Sequence, residues 1–135
     1  MAAFLRLAYF SASRLTSQWD IVCLVEQSRL HNARNGISGL LLHEDGAFLQ
    51  FIEGEKAVVE TLYRKILRDP RHSYVTQICN QETDARLFGE WPLAFLGRVE
   101  YAQASQSPHR EVLDSLKQAY RDAEPPAREV IGGFF

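Results

Sequence analysis

The stretch Gly36–Gly54, GISGLLLHEDGAFLQFIEG, limits more than any other what this chain can fold into. Two apolar runs, Ile37–Leu42 and Ala47–Ile52, flank His43-Glu44-Asp45-Gly46. Asp-Gly between β-capable runs predicts a tight hairpin, because glycine enters the positive-φ turn without a Cβ clash. The runs are apolar on both faces, which predicts a central strand pair in a sheet covered on both sides. Gln50 breaks the pattern. Alternation puts it on the face of Phe48 and Ile52. A buried primary amide needs partners for two donors and two acceptor sites, so something polar, from the protein or a ligand, should lie against that face.

The rest of the chain supplies elements around this hairpin. Phe4–Ser11 alternates as a strand, with Leu5, Leu7 and Tyr9 on one face, Phe4, Ala8 and Phe10 on the other, and Arg6 expected at an edge. Thr16 or Ser17 can cap a following helix that carries Asp20 in its first turn. Its stripe, Ile21, Leu24, Val25, Ser28, His31 and Asn32, begins aliphatic and ends polar, and Asn35-Gly36 stops it as a left-handed cap does. The polar end is either a stripe running out into solvent or a polar pocket where the helix packs on the sheet. Arg29 and Arg34 read as a solvated face.

A second amphipathic helix is predicted over 55–69, with Val58, Val59, Leu62, Tyr63 and Ile66 as its stripe and Asp69-Pro70 as its stop. Lys65, Asp69, Arg71 and His72 at its end read first as a basic turn complementing the helix dipole. A cationic edge for a phosphate is the alternative. A strand over 74–79, a polar connection over 80–90 with room for one helical turn, and a last strand over 91–100 follow. A third helix over 108–122 and the apolar tail Val130–Phe135 complete the chain.

This order, β-α-β-β-α-β-β with a helix appended, predicts an α+β fold: a ferredoxin-like mixed five-stranded sheet with both helices on one face and a C-terminal helical extension. The expected division is residues 1–100 and 101–135. The face carrying Phe48, Gln50, Ile52 and Tyr9 then looks into the space between the two helices. With 46% apolar and 24% charged residues and a net charge of −2, the chain reads as a globular domain with no signature of a nucleic-acid or membrane binder. No apolar run approaches the roughly 18 residues of a membrane span. Cys23 and Cys79 have no metal-ligand spacing and read as buried free thiols of a cytoplasmic protein.

Several chemistries find no residues here. No glycine-rich phosphate loop follows a strand, and no nucleophile–base pair or paired carboxylates can be assembled. The histidines His31, His43, His72 and His109 lack metal-ligand spacing, so no metal is expected.

Five motifs in order, LAYFS around Tyr9, SRLHNARNGISGLLL, DGAFLQFIEG, LYRKILRDPRH and FGEWPLAF, resemble the BLUF domain, the blue-light sensor that uses FAD. The resemblance spans about Phe4 to Phe95. It implies a flavin between the two helices, FAD or equally FMN. Asn32 and His31 would contact its pyrimidine edge beside Ser28, Leu24 and Ile66 would sandwich the ring, and Lys65, Asp69 and Arg71 would lie near the phosphate end. Gln50 would bridge the Tyr9 hydroxyl and the ring. The implied activity is photochemical, without turnover: Tyr9 gives up an electron and a proton, Gln50 relays, and the rearranged amide causes a small red shift and carries the signal to the last strand. By the same resemblance, Trp91 and Leu93 would be the signalling positions. The family usually has Trp-Ser-Met where this chain has Trp91-Pro92-Leu93, and Met1 is its only methionine. Leucine keeps the volume and loses the sulfur. With little chain after residue 100, output is expected through the third helix and tail to a partner protein, or through a homo-oligomer. The alternatives are a small ferredoxin-like hydrolase or dark flavin oxidoreductase, and a chromophore-free interaction module.

Overall fold

A computed structural model describes residues 3–15, 17–44, 46–89, 91–96, 118 and 121. The elements are β1 (Phe4–Ser13), α1 (Gln18–Arg34), β2 (Ser38–Glu44), β3 (Ala47–Gly54), α2 (Lys56–Leu67), β4 (His72–Thr83) and β5 (Ala94–Leu96). The hairpin forms where its sequence places it: Glu44 pairs with Ala47, and Gly46 takes φ +76°. Both of its strands are buried almost throughout. Ser17 caps α1 by accepting from Asp20 N at 3.0 Å, and Gly36 leaves the helix with φ +65°. Thr16, Asp45, the expected third helix apart from helical Gln118 and Arg121, the tail and the division at residue 100 lie outside the described residues.

The sheet runs β4-β1-β3-β2-β5, with every neighbouring pair antiparallel except β2 and β5, which are parallel. This is the expected ferredoxin-like order with β5 added beside β2. On one face, Leu5, Leu7, Tyr9, Ile37 and Ile52 pack with Val59, Leu62 and Ile66 of α2. On the same face, Leu41, Phe48, Leu93 and Phe95 pack with Ile21, Val25 and Leu24 of α1. The opposite face buries Ala8, Leu40, Leu42, Leu49, Phe51, Phe88 and Ala94.

Four expectations are corrected. Arg6 is not at an edge, because β1 lies between β4 and β3; it is buried on the opposite face, where its Nε donates to Glu53 Oε2 at 2.8 Å. β4 extends beyond 74–79 in both directions. It is the outermost strand, so pairing to β1 holds its backbone while its polar residues stay wet. The last strand begins at Ala94, not at 91, and Pro92 falls in the segment before it, where its missing N–H costs no ladder bond; residues 97–100 of the expected strand lie outside the described residues. Cys23 and Cys79 are free but only half-buried. Among the described residues no helix is long and apolar enough to cross a membrane.

Candidate functional site

Between α1 and α2 the sheet face opens into a cleft of about 270 Å³. Its floor is Tyr9 from β1, Leu41 from β2, and Phe48 and Gln50 from β3. Leu24, Gln27, Ser28, His31 and Asn32 of α1 form one wall, Leu62, Lys65 and Ile66 of α2 the other, and Asp69, Arg71 and His72 close one end. The polar last turn of α1 thus looks into a pocket and does not run out into solvent. Every residue expected to hold a cofactor lines this one space.

Tyr9 and Gln50 are direct partners across β1 and β3, and the Tyr9 hydroxyl donates to Gln50 Oε1. Burial, with Tyr9 only 4% exposed, raises its phenol well above the ordinary range; the negative charge of Asp69 adds to this and Arg71 opposes it. Tyr9 therefore remains a hydrogen-bond donor throughout physiological pH. The Gln50 Nε2 donors have no acceptor among the described residues, so the buried amide is only half satisfied from within.

Asn32, also buried, gives one Nδ2 proton to Pro92 O at 2.8 Å. At the end of the cleft Arg71 donates from Nη2 to Asp69 Oδ2 at 2.7 Å and from Nη1 to Gln27 Oε1 at 3.2 Å, so it spans from the end of α2 to α1. Hydrogen bonds from Arg71 hold the Asp69 carboxyl below its ordinary value, and Asp69 in turn raises the guanidinium. With Lys65 beside it, this end carries two cations and one carboxylate.

His72 was legible only as part of a basic turn, yet it is a wall of the site. Its Nε2 lies 2.7 Å from Ile66 O, which can only accept, so Nε2 carries the proton; Nδ1 lies 2.8 Å from Ser11 Oγ. The ring stands edge-on to Tyr9 at 5.7 Å between centroids, and Tyr63 flanks Tyr9 at 6.1 Å. The available hint was Ser11, a hydroxyl two residues along β1 on Tyr9's own face.

Trp91 and Leu93 do not enter the cleft, and they are split across the sheet. Leu93 is buried under α1 beside Leu41 and Phe48 of the floor, whereas Trp91 packs on the opposite face against the cluster of Phe51 and Phe88.

The residues present fit a flavin. A buried amide presents unmatched donors, Leu24 and Ile66 offer an aliphatic side chain from each helix, and cations stand at one end. The volume lies just below the roughly 300–1,000 Å³ of small-molecule sites, suited to a ring system more than to a whole dinucleotide.

Comparison with known proteins agrees. The family described as "Sensors of blue-light using FAD" matches residues 4–94. The photoactivated adenylate cyclase subunit beta of Euglena gracilis is 34% identical over 120 residues, 87% of this chain, which spans 14% of that subunit's length. Among solved structures, BlrB, a BLUF protein in its dark state, is 34% identical with a TM-score of 0.69, over 84% of this chain and 86% of BlrB. The ground state of BlsA is 33% identical with a TM-score of 0.67, over 72% and 66% of the two chains. With the Tyr9–Gln50 pair facing a cleft between two helices on this sheet, the chain belongs to the BLUF family and carries a flavin-based blue-light sensor.

Proposed function

We propose that the protein is a photoreceptor in which Tyr9 and Gln50 convert absorbed blue light into a rearranged hydrogen bond that is passed through β5 to a partner protein. When bound, the flavin supplies a blue-absorbing ring that becomes a strong oxidant on excitation. Tyr9 would give an electron from its ring to the excited flavin and its hydroxyl proton to Gln50 Oε1, and both would return to it. Gln50 would end with its amide rotated, so that Tyr9 meets its nitrogen, or tautomerised, so that the same oxygen now donates. No substrate is turned over. Asn32, His31 and Ser28 hold the polar edge of the ring, Leu24 and Ile66 clamp it, and Lys65 and Arg71, the latter fixed by Asp69, meet the phosphate. These contacts serve FAD and FMN alike, and FAD is the cofactor we assign from the family. Output to a separate partner in the cytoplasm, with self-association of the sensor, completes the reading.

The observation that carries this is the half-satisfied amide: Gln50 accepts from Tyr9 and keeps its donors for the cleft. The test is the absorption spectrum of purified, flavin-loaded protein before and after blue light, followed during recovery in the dark. A reversible red shift is expected. A protein that refuses flavin, or a Gln50→Leu variant that photoswitches like the wild type, would overturn the assignment.

A further inference from the structure

The segment entering β5 is gripped at three successive carbonyls. Gly39 N of β2 donates to Trp91 O at 3.1 Å, Asn32 Nδ2 donates to Pro92 O at 2.8 Å, and Arg29 Nε donates to Leu93 O at 2.8 Å. Arg29 and Asn32 stand three residues apart on α1, so one helix face presents both side-chain donors. Arg29, expected on a solvated face, is thus a correction: its side chain is only 22% exposed, with Glu26 Oε1 at 3.5 Å from Nη1. Such bonds matter because Pro92 has no N–H to give, so its place is held through its carbonyl, and the ladder to β2 runs from Ala94, paired with Leu40.

Leu93 is 1% exposed and has no polar side-chain atom, so its side chain passes only packing forces to β5. The main chain offers another route. Asn32 is at once a wall of the cleft and the donor to Pro92 O, and any change in how the cleft holds that amide changes its hold on the carbonyl.

We propose that Arg29 and Asn32 form a two-point tether from α1 to the carbonyls of Leu93 and Pro92, through which β5 senses the state of the cleft. Arg29 is a positioning residue in this device; it does not line the cleft. The inference rests on the flavin reading above, and Arg29 supplies the handle that separates the two.

The experiment compares wild type, Arg29→Ala and Arg29→Lys by amide hydrogen exchange, resolved on peptides covering 91–96. In the dark, flavin-loaded Arg29→Ala should exchange about tenfold faster over 94–96, with β1 and β3 unchanged, the size expected for losing a hydrogen bond from a charged donor. Arg29→Lys, which keeps a cationic donor, should recover part of that protection. Under blue light the wild type should show a change in exchange over 94–96 that Arg29→Ala loses, although its red shift persists. Unchanged protection of β5 in Arg29→Ala, or a light-dependent change as large as in the wild type, overturns the tether. If the wild type shows no red shift, the photosensor reading fails, and the tether is then decided by flavin-loaded against flavin-free protein: wild-type β5 should respond to flavin addition and Arg29→Ala should not. An equal response in both overturns it.

Discussion

Tyr9 and Gln50 sit directly opposite one another on antiparallel neighbours, β1 and β3, and are joined by a hydrogen bond from the phenol to the amide oxygen. Cross-strand register therefore delivers the pair to one face without any help from a loop. Gln50→Leu should keep flavin bound, since Asn32, Leu24 and Ile66 remain, but should abolish the red shift. It also strands the Tyr9 hydroxyl in a site where the residue is 4% exposed. Leaving such a donor unpaired costs about 1–3 kcal/mol, to be read as a lower urea midpoint of flavin-free protein.

The same burial gives the protein an alkaline liability. Tyr9's phenol is raised in the folded state, so folding favours the protonated form. The stability this contributes is complete below the ordinary phenol value of 10.0 and is lost as pH climbs towards the raised folded value. Tyr63 is raised in the same direction by burial and adds to the loss. Wild-type stability should therefore fall more steeply from about pH 9 to about pH 11 than that of Tyr9→Phe. Denaturant midpoints across that range check this, and parallel slopes would contradict it.

The hairpin, the face of Gln50 and the cleft-facing stripe of α1 were all legible, because period-2 and period-3.6 patterns report which residues share a face. Arg6 and Arg29 are misplaced by the pattern, and His72 is left without its partners, for a common reason. A polar residue in a pattern reads as surface unless its partner is known, and these partners are remote or main-chain. Arg6 pairs with Glu53 across 47 positions, Arg29 reaches Leu93 O across 64, and His72 meets a serine hydroxyl and a carbonyl. The extent of β4 was hidden for a related reason: an outer strand is held by backbone pairing to β1, and Asn80–Thr83 carry no apolar signal.

Leu93 fills the place where the family usually carries methionine, and its side chain packs with Phe48 and Leu41 of the cleft floor. Leu93→Met restores a polarisable sulfur with little change in volume. Stability should move by less than about 1.5 kcal/mol, and flavin affinity should stay the same. The recovery time of the lit state should change, because the sulfur adds a weak acceptor beside the floor residues Leu41 and Phe48. Dark recovery followed at the red-shifted band decides this, and equal recovery times would show that position 93 acts through volume alone.

The charged end of the cleft should read phosphate. Arg71 is held by both Asp69 and Gln27, which orients its guanidinium, while Lys65 is a point charge on a flexible stem. Arg71→Ala should weaken FMN by about tenfold or more and leave riboflavin, which lacks the phosphate, nearly unaffected. Lys65→Ala should act in the same direction but less, since its loss uncovers no carboxylate. Titration of flavin-free protein with the two flavins measures the difference, and equal losses for both would place the phosphate elsewhere.

The far face carries the pair on which the loop into β5 depends. Glu53 is fully buried and Arg6 7% exposed at the side chain. Glu53 Oε2 accepts from Arg6 Nε and Leu87 N, and Oε1 accepts from Phe88 N, each at 2.8 Å; Arg6 Nη2 also donates to Ala85 O at 3.1 Å. The carboxylate is thus both counterion and acceptor for two loop amides. Arg6→Ala leaves the carboxylate with those amides but without its paired guanidinium, which should lower unfolding free energy by about 3–5 kcal/mol. Residues 6 and 53 point away from Tyr9 and Gln50 by strand alternation, so the variant, once folded, should keep the wild-type flavin spectrum and red shift. A denaturation series with spectra taken on the native baseline separates the two effects. Loss of the red shift in folded Arg6→Ala would mean that the two faces of the sheet are coupled through β1 and β3 themselves.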